Sequence, residues 1–250
     1  MRSLFFICIS AVLFSCKSTS TKNGNEKNAD STSLTISPVA ITAAQLPASI
    51  KVNGQLQEAW QWTDRSGENI LVTSFTEPYD DKEKNEFGEE GQSAQLYALQ
   101  YVKKDGGYEL IWKNDEVEKS CPFDITCKFI KDATTVTDLD KDGVAETTIQ
   151  YRLACRSDVS PSVMKLVMYE GSTKYFLEGL SWIKSSEEDK FTITEKDANL
   201  ETLPGYKKTE EEYMKTFGRY ESEKGFAGAP PEFLAYARQQ WMKFVKERFE

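Results

Sequence analysis

The segment 138–146 reads DLDKDGVAE and carries acidic side chains at alternate positions. Calcium takes about six to eight oxygen ligands, and carboxylates and backbone carbonyls supply them in proteins. In a tightly curled loop the alternate side chains point inward together, and Gly143 permits the sharp bend. The segment therefore predicts a calcium site. The predicted ligands are four carboxylates and one backbone carbonyl: Asp138, Asp140, Asp142, Glu146 and, through its carbonyl, Val144.

Two other interpretations of this loop are less favourable. An EF-hand needs a glutamate at the twelfth position of its loop, where this chain has Ile149. A metal-free turn rich in aspartate is the simpler alternative. It is the weaker one because four clustered carboxylates repel one another unless a cation lies among them.

Strands are predicted on both sides of the loop: 134–137 leads into it, and 147–155 leaves it with Ile149, Tyr151, Leu153 and Cys155 on one face. A D-x-D-x-D-G-x-x-E loop between strands resembles the calcium loops of integrin-type propeller repeats, which are short β-hairpins around a metal. The sequence holds one full copy, whereas a propeller needs several. The resemblance therefore implies either one such loop within another kind of sheet or further copies that have lost their acidic residues.

The other elements that must position the loop are mostly hairpins. The expected fold is α+β, mainly antiparallel β, built as a hairpin-rich sheet, a sandwich or a partial propeller, with C-terminal helices. We expect a β domain over 34–200 and a helical segment over 201–250 that packs on it, through an apolar stripe at helical spacing. The predicted strands are 55–63, 70–75, 94–102, 108–112, 123–129, 163–169, 175–180 and 191–194; the predicted helices are 209–220 and 231 to about 249; the segment 77–91 is expected to be a loop.

The first sixteen residues predict export. Arg2 precedes an apolar run from residue 4 to 14, and Ser15 stands directly before Cys16. This pattern looks like a bacterial lipoprotein signal over 1–15, after which Cys16 carries the acyl chains (palmitate) and 16–33 forms a disordered tether. A transmembrane anchor is the alternative, but the run is shorter than the about 20 residues that span a bilayer.

Composition excludes several classes of function. The chain has no histidine, which rules out a Ser-His-Asp triad and the usual histidine-rich catalytic zinc site. Its formal net charge is −9, which argues against nucleic acid as a partner and suits cations.

Three cysteines remain beyond the lipid-bearing end. An extended strand at 123–129 would hold Cys121 and Cys127 about 20 Å apart, too far for a disulfide. A hairpin centred near Asp142 would place Cys127 nearly opposite Cys155. We therefore predict a Cys127–Cys155 bond, with Cys121–Cys155 as the second choice and three reduced thiols as the alternative to both.

A family resemblance covers about residues 94–182. It is carried by YALQYVKKDGGYELIW at 97–112, TVTDLDKDGVAE at 135–146 and CRSDVSPSVMKLVMYEG at 155–171. These runs are similar to a family of lipoproteins from Gram-negative bacteria commonly labelled surface polysaccharide biosynthesis proteins. The resemblance implies a role in displaying envelope glycans and supplies no catalytic residues. Because Lys17 rather than an aspartate follows Cys16, we expect the outer membrane, facing either the periplasm or the cell surface.

Three functions follow as expectations. The first is a non-catalytic, membrane-tethered, calcium-binding lipoprotein that assists surface polysaccharide assembly or binding. The second is a glycan-processing enzyme that uses a carboxylate pair, which a deep pocket with an acid pair beside Arg152 or Arg156 would favour; either arginine is otherwise an exposed strand or loop residue. The third is an assembly module that binds another envelope protein through the C-terminal helix or a sheet edge. The aromatic side chains considered for stacking on sugars, or else for core packing, are Trp60, Trp62, Trp112, Tyr151 and Trp182.

Overall fold

The computed structural model describes residues 35–85, 88–184 and 186–248. The signal peptide, the lipidation site Cys16 and the tether 16–33 lie outside the described residues, so they stay predictions. Among the described helices, none is long and apolar enough to cross a membrane.

The first sheet is antiparallel and is built largely from hairpins. Strand β5 is central and pairs with β3, β4 and β6, while β2 pairs with β1 and β3. Short turns join β2 to β3 and β5 to β6, and each ends in a glycine with positive φ, Gly67 and Gly107. The strands are β1 (Val39–Ala40), β2 (Gln55–Asp64), β3 (Gly67–Phe75), β4 (Tyr79–Asp81), β5 (Gly91–Lys104) and β6 (Gly107–Cys121).

The second sheet is organised around β9, which pairs antiparallel with β7, β8 and β10. Strand β11 returns beside β10 through a tight hairpin. The predicted calcium loop is the connection from β8 to β9. The strands are β7 (Asp124–Phe129), β8 (Thr135–Thr137), β9 (Glu146–Arg156), β10 (Val163–Glu170) and β11 (Thr173–Leu180).

One face of each sheet packs against the other, and apolar side chains from both fill the space between them. Trp112 of the first sheet stacks on Tyr169 of the second, with ring centroids 4.0 Å apart. The buried core between the sheets includes Trp62, Leu71, Leu96, Ala98, Ile149, Tyr151, Leu153 and Val167. The alternation of inward and outward residues along each strand produces this arrangement.

Helix α1 (Pro231–Phe244) covers the outer face of the second sheet. Its apolar stripe is buried against β10 and β11, as the helical spacing predicted. The chain then forms β13 (Lys246–Glu247), which pairs parallel with β12 (Trp182–Ile183). Short 3-10 helices complete the described elements: Ala43–Gln45, Glu195–Asp197, Leu200–Thr202, Glu210–Thr216 and Lys224–Phe226. The expected fold class, α+β with mainly antiparallel strands, is confirmed.

Local departures from the sequence predictions have physical causes. The segment 209–220 forms only a 3-10 helix to Thr216, because Gly218 turns the chain at positive φ. No strand forms at 191–194; Phe191 packs instead on Trp182, with ring centroids 5.4 Å apart. Helix α1 ends at Phe244, five residues before the predicted limit near 249, since the chain there leaves to pair with β12.

The predicted Cys127–Cys155 disulfide is wrong. Cys155 is bonded to Cys121, with Cα atoms 5.5 Å apart, and Cys127 is a free thiol. The hairpin is not centred where the prediction placed it, so Cys127 lies opposite Leu153 while Ile125 lies opposite Cys155. Burial raises the pKa of the Cys127 thiol to about 11, so it is a protonated, unreactive group at neutral pH.

Candidate metal centre

Three of the predicted ligands lie together at the start of β9. Asp138, Asp140 and Glu146 each offer a carboxylate oxygen within 4.8 Å of the other two. Two oxygens bound to one calcium ion at about 2.3–2.6 Å are at most about 5 Å apart, so these separations fit a shared ion. This carboxylate cluster can therefore hold a metal ion.

Glu146 is the most buried member of the cluster, with 0% of its surface exposed. Its Oε2 accepts hydrogen bonds from the Thr137 hydroxyl and the Leu139 amide, both at 2.9 Å. Its Oε1 is buried and has no hydrogen-bond partner among the described residues. Burial raises the pKa of Glu146 to about 7, and the charge of Asp140 acts in the same direction. A cation beside Oε1 would remove this penalty.

Hydrogen bonds between aspartate side chains and backbone amides, together with one glycine, bend the loop. The Val144 amide donates to Asp142 Oδ1 at 2.7 Å, and the Asp142 amide donates to Asp140 Oδ1 at 3.2 Å. Gly143 has φ +85°, a conformation that favours glycine, as the prediction of a sharp bend requires. The amide of Val144 is thus bonded to a neighbouring ligand candidate, and its carbonyl stays a predicted ligand.

An acidic residue from outside the motif, Glu170, belongs to a second group that shares Asp140 with the first. Asp142 does not group with Asp138 and Glu146; it groups with Asp140 and Glu170, again within 4.8 Å. Glu170 ends β10, and the register of β9 and β10 places it directly opposite Glu146. Burial and the charges of Asp140 and Asp142 raise the pKa of Glu170. The sequence motif contains no signal for this residue, although a glutamate at the end of the next strand could have suggested it once the hairpin register was known.

The first sheet supports the loop through the β2–β3 turn. The Arg65 amide donates to the Gly143 carbonyl at 2.7 Å, and the Ala145 amide donates to Asp64 Oδ2 at 3.1 Å. Asp64 is itself buried and accepts hydrogen bonds from Trp62 and Ser66. The loop therefore contacts both sheets, although all its acidic residues belong to the second sheet or its connections.

Most of the aromatic residues considered for sugar stacking are in the core. Trp62, Trp112 and Tyr151 are at most 6% exposed, so their rings are not available to a ligand. Trp60 and Trp182 are half-buried. The core-packing alternative is therefore correct for the first three.

The two arginines considered for catalysis serve the structure. Arg152 donates to the Ser181 hydroxyl and to the carbonyls of Phe244 and Lys246. Arg156 forms an ion pair of 2.7 Å with the buried carboxylate of Glu247. Both guanidinium groups fasten the C-terminal residues after α1 to the second sheet.

A cleft of about 620 Å³ lies between β11 and the segment 200–224, away from the metal centre. Its volume is within the range of small-molecule sites, about 300–1,000 Å³. Its walls carry two aromatic rings, Tyr206 and Tyr213, and the carboxylates of Glu178, Glu201 and Glu221. Arg152 and Arg156 do not line this cleft, so it is not the arginine-flanked pocket that would favour the enzyme hypothesis.

No protein-family model matches the chain, and no curated protein or solved structure matches it. The resemblance to surface polysaccharide lipoproteins therefore stays a prediction.

Proposed function

We propose that this protein is a non-catalytic, lipid-anchored, calcium-binding protein of the cell envelope that assists the assembly or binding of a surface polysaccharide. The observation that carries the calcium part is the buried carboxylate of Glu146, whose Oε1 lacks a partner among the described residues and which lies within 4.8 Å of Asp138 and Asp140. A buried anion of this kind is costly unless it is paired or binds a cation.

The chemistry of the ligand set favours calcium over other metals. Every side chain of the cluster offers hard carboxylate oxygen, and neither imidazole nor thiolate is among its ligands. Zinc and copper prefer nitrogen and sulfur ligands. Magnesium usually keeps several waters and uses one or two carboxylates, whereas calcium accepts many carboxylates in a flexible loop.

Thermal unfolding of the purified protein with calcium and with a chelator tests this proposal. Calcium at about 100 times its dissociation constant should contribute about 2.7 kcal/mol, or roughly 5–10 °C in melting temperature for a protein of this size. Asp140→Ala should abolish the calcium-dependent rise. Asp105→Ala, an exposed aspartate in the β5–β6 turn, is the matched control and should retain it. A wild-type melting temperature that does not respond to calcium would refute the proposal.

The cleft is the best-supported place for the glycan. Sugars bind where an aromatic face is flanked by hydrogen-bonding groups, and Tyr213 is 45% exposed at the cleft wall beside charged side chains. We expect purified bacterial polysaccharides to bind in surface plasmon resonance and Tyr213→Ala to weaken that binding. Tyr79→Ala changes an exposed tyrosine outside the cleft and should have no effect. Equal binding by both variants would remove the glycan site from this cleft.

A further inference from the structure

Glu170 is the acidic residue of these two groups that does not belong to the 138–146 loop. It is the last residue of β10 and lies outside the segment 138–146. The hairpin register brings it opposite Glu146, on the same face of the sheet. Like charges directly opposite each other on antiparallel strands are destabilising, so this pair needs a compensating charge.

Basic side chains do not pair directly with these carboxylates among the described residues. In the described parts of the chain, neither a lysine nor an arginine forms an ion pair with Asp138, Asp140, Asp142, Glu146 or Glu170. The Arg65 side chain passes over Gly143 without pairing with these carboxylates. Asp140 thus belongs to two acidic groups that together hold five carboxylates, and none of the five has an ion-pair partner in the described ranges.

The separations suit a shared cation. Asp140, Asp142 and Glu170 offer oxygens within 4.8 Å of one another, and Asp140 also belongs to the group that contains the unpartnered, fully buried Glu146. We infer that Glu170 is a metal ligand supplied by the β10–β11 hairpin, so that the bound cation joins this hairpin to the 138–146 loop. This inference rests on the proposed calcium function and extends it to a ligand that the motif does not contain.

Calcium titration by isothermal calorimetry, on the whole protein freed of metal, tests the inference. Loss of an outer-shell partner of a metal site commonly costs about 10–100-fold in affinity, so loss of a direct carboxylate in Glu170→Gln should cost at least about tenfold. Glu109→Gln removes the same charge from an exposed position on β6 and should leave the affinity unchanged. Wild-type affinity in Glu170→Gln overturns the inference while leaving the proposed calcium function intact. Absence of calcium binding by the wild-type protein overturns both.

A second measurement separates a ligand from a merely structural residue. In chelator, Glu170→Gln should melt at or above the wild-type temperature, because it relieves repulsion from Glu146, Asp140 and Asp142. With calcium added, the order should reverse. A variant that is less stable than wild type by the same amount in both conditions would show a structural role and contradict the inference.

Discussion

The two ends of strand β9 are held by different chemistry. At its C-terminal end, Cys155 is bonded to Cys121, and Arg156 forms an ion pair of 2.7 Å with Glu247. At its first residue, Glu146 is buried among carboxylates that form no ion pair within the described ranges. We therefore expect one end to be fastened by the chain itself and the other to be fastened by a bound cation.

The two buried glutamates show this difference in their pKa values. Burial raises the pKa of Glu146 to about 7, because its hydrogen bonds from Thr137 and Leu139 do not offset the loss of solvent. Burial would also raise the pKa of Glu247. There, hydrogen bonds from Arg156 and Ser162 together outweigh burial and hold the pKa below its usual range. The two buried carboxylates therefore differ in whether their hydrogen bonds outweigh the effect of burial on the pKa.

The largest expected loss of stability comes from breaking the ion pair at the C-terminal end of β9. Glu247→Ala removes the carboxylate that compensates the buried guanidinium of Arg156, and breaking a buried pair in this way costs about 3–5 kcal/mol. Urea unfolding measures this loss. Glu146→Gln in chelator is the comparison and should cost much less, because it removes an unfavourable charge. Equal losses of unfolding free energy in the two variants would contradict the proposed difference between the two ends of β9.

The disulfide should contribute about 3–4 kcal/mol, from the loop-closure relation for its sequence separation of 34 residues. Cys155→Ser should lower the free energy of unfolding by that amount and leave the calcium affinity within about twofold, since the bond lies at the far end of β9. Cys127→Ser changes the free thiol and serves as the control. A large loss of calcium affinity in Cys155→Ser would show that the two ends are coupled.

The pH dependence of stability in chelator should have opposite signs at the two glutamates. The pKa of Glu247 is lowered on folding, so its contribution is present above the ordinary value of 4.5 and is lost as the pH falls through the folded value. The pKa of Glu146 is raised, so stability falls as the pH rises from 4.5 through about 7. Urea unfolding across this range measures both slopes. Glu146→Gln should abolish the fall in stability between pH 4.5 and about 7 and leave the acidic slope unchanged. If the fall persists in this variant, another group causes it.

The sequence predicted well what depends on local spacing. Alternating apolar residues gave the hairpins around β2–β3, β5–β6 and β10–β11, and the acidic repeat gave Asp138, Asp140 and Glu146. These features depend on neighbours along the chain, whose relative positions are fixed by strand and turn geometry.

What depends on strand register could not be predicted in this way. The β7–β9 register places Ile125 opposite Cys155, two residues from the predicted partner Cys127. Cys121, the last residue of β6, reaches Cys155 instead, and no local pattern predicts either fact. The position of Glu170 opposite Glu146 likewise follows only from the β9–β10 register. The burial of Trp62 and Trp112 needs the packing of two sheets, which neither strand specifies alone.

The smallest expected loss of stability comes from a change in the loop backbone at Gly143. Gly143 has φ +85°, which costs an ordinary residue about 1–2 kcal/mol, and a Cβ there would lie 3.2 Å from Arg65 Nε. Gly143→Ala should lower the unfolding free energy by that amount and weaken calcium binding, because the loop can no longer curl freely. Gly106→Ala is the control, since a Cβ there meets nothing within 4 Å.

Adding Arg65→Ala to Gly143→Ala separates the two causes. The second change removes the side-chain contact but leaves the backbone at positive φ. If strain at φ dominates, the double variant should show the same loss of stability and calcium affinity as Gly143→Ala. Full recovery in the double variant would instead assign the cost to the Arg65 contact, and the bend of the loop would then not be what requires glycine.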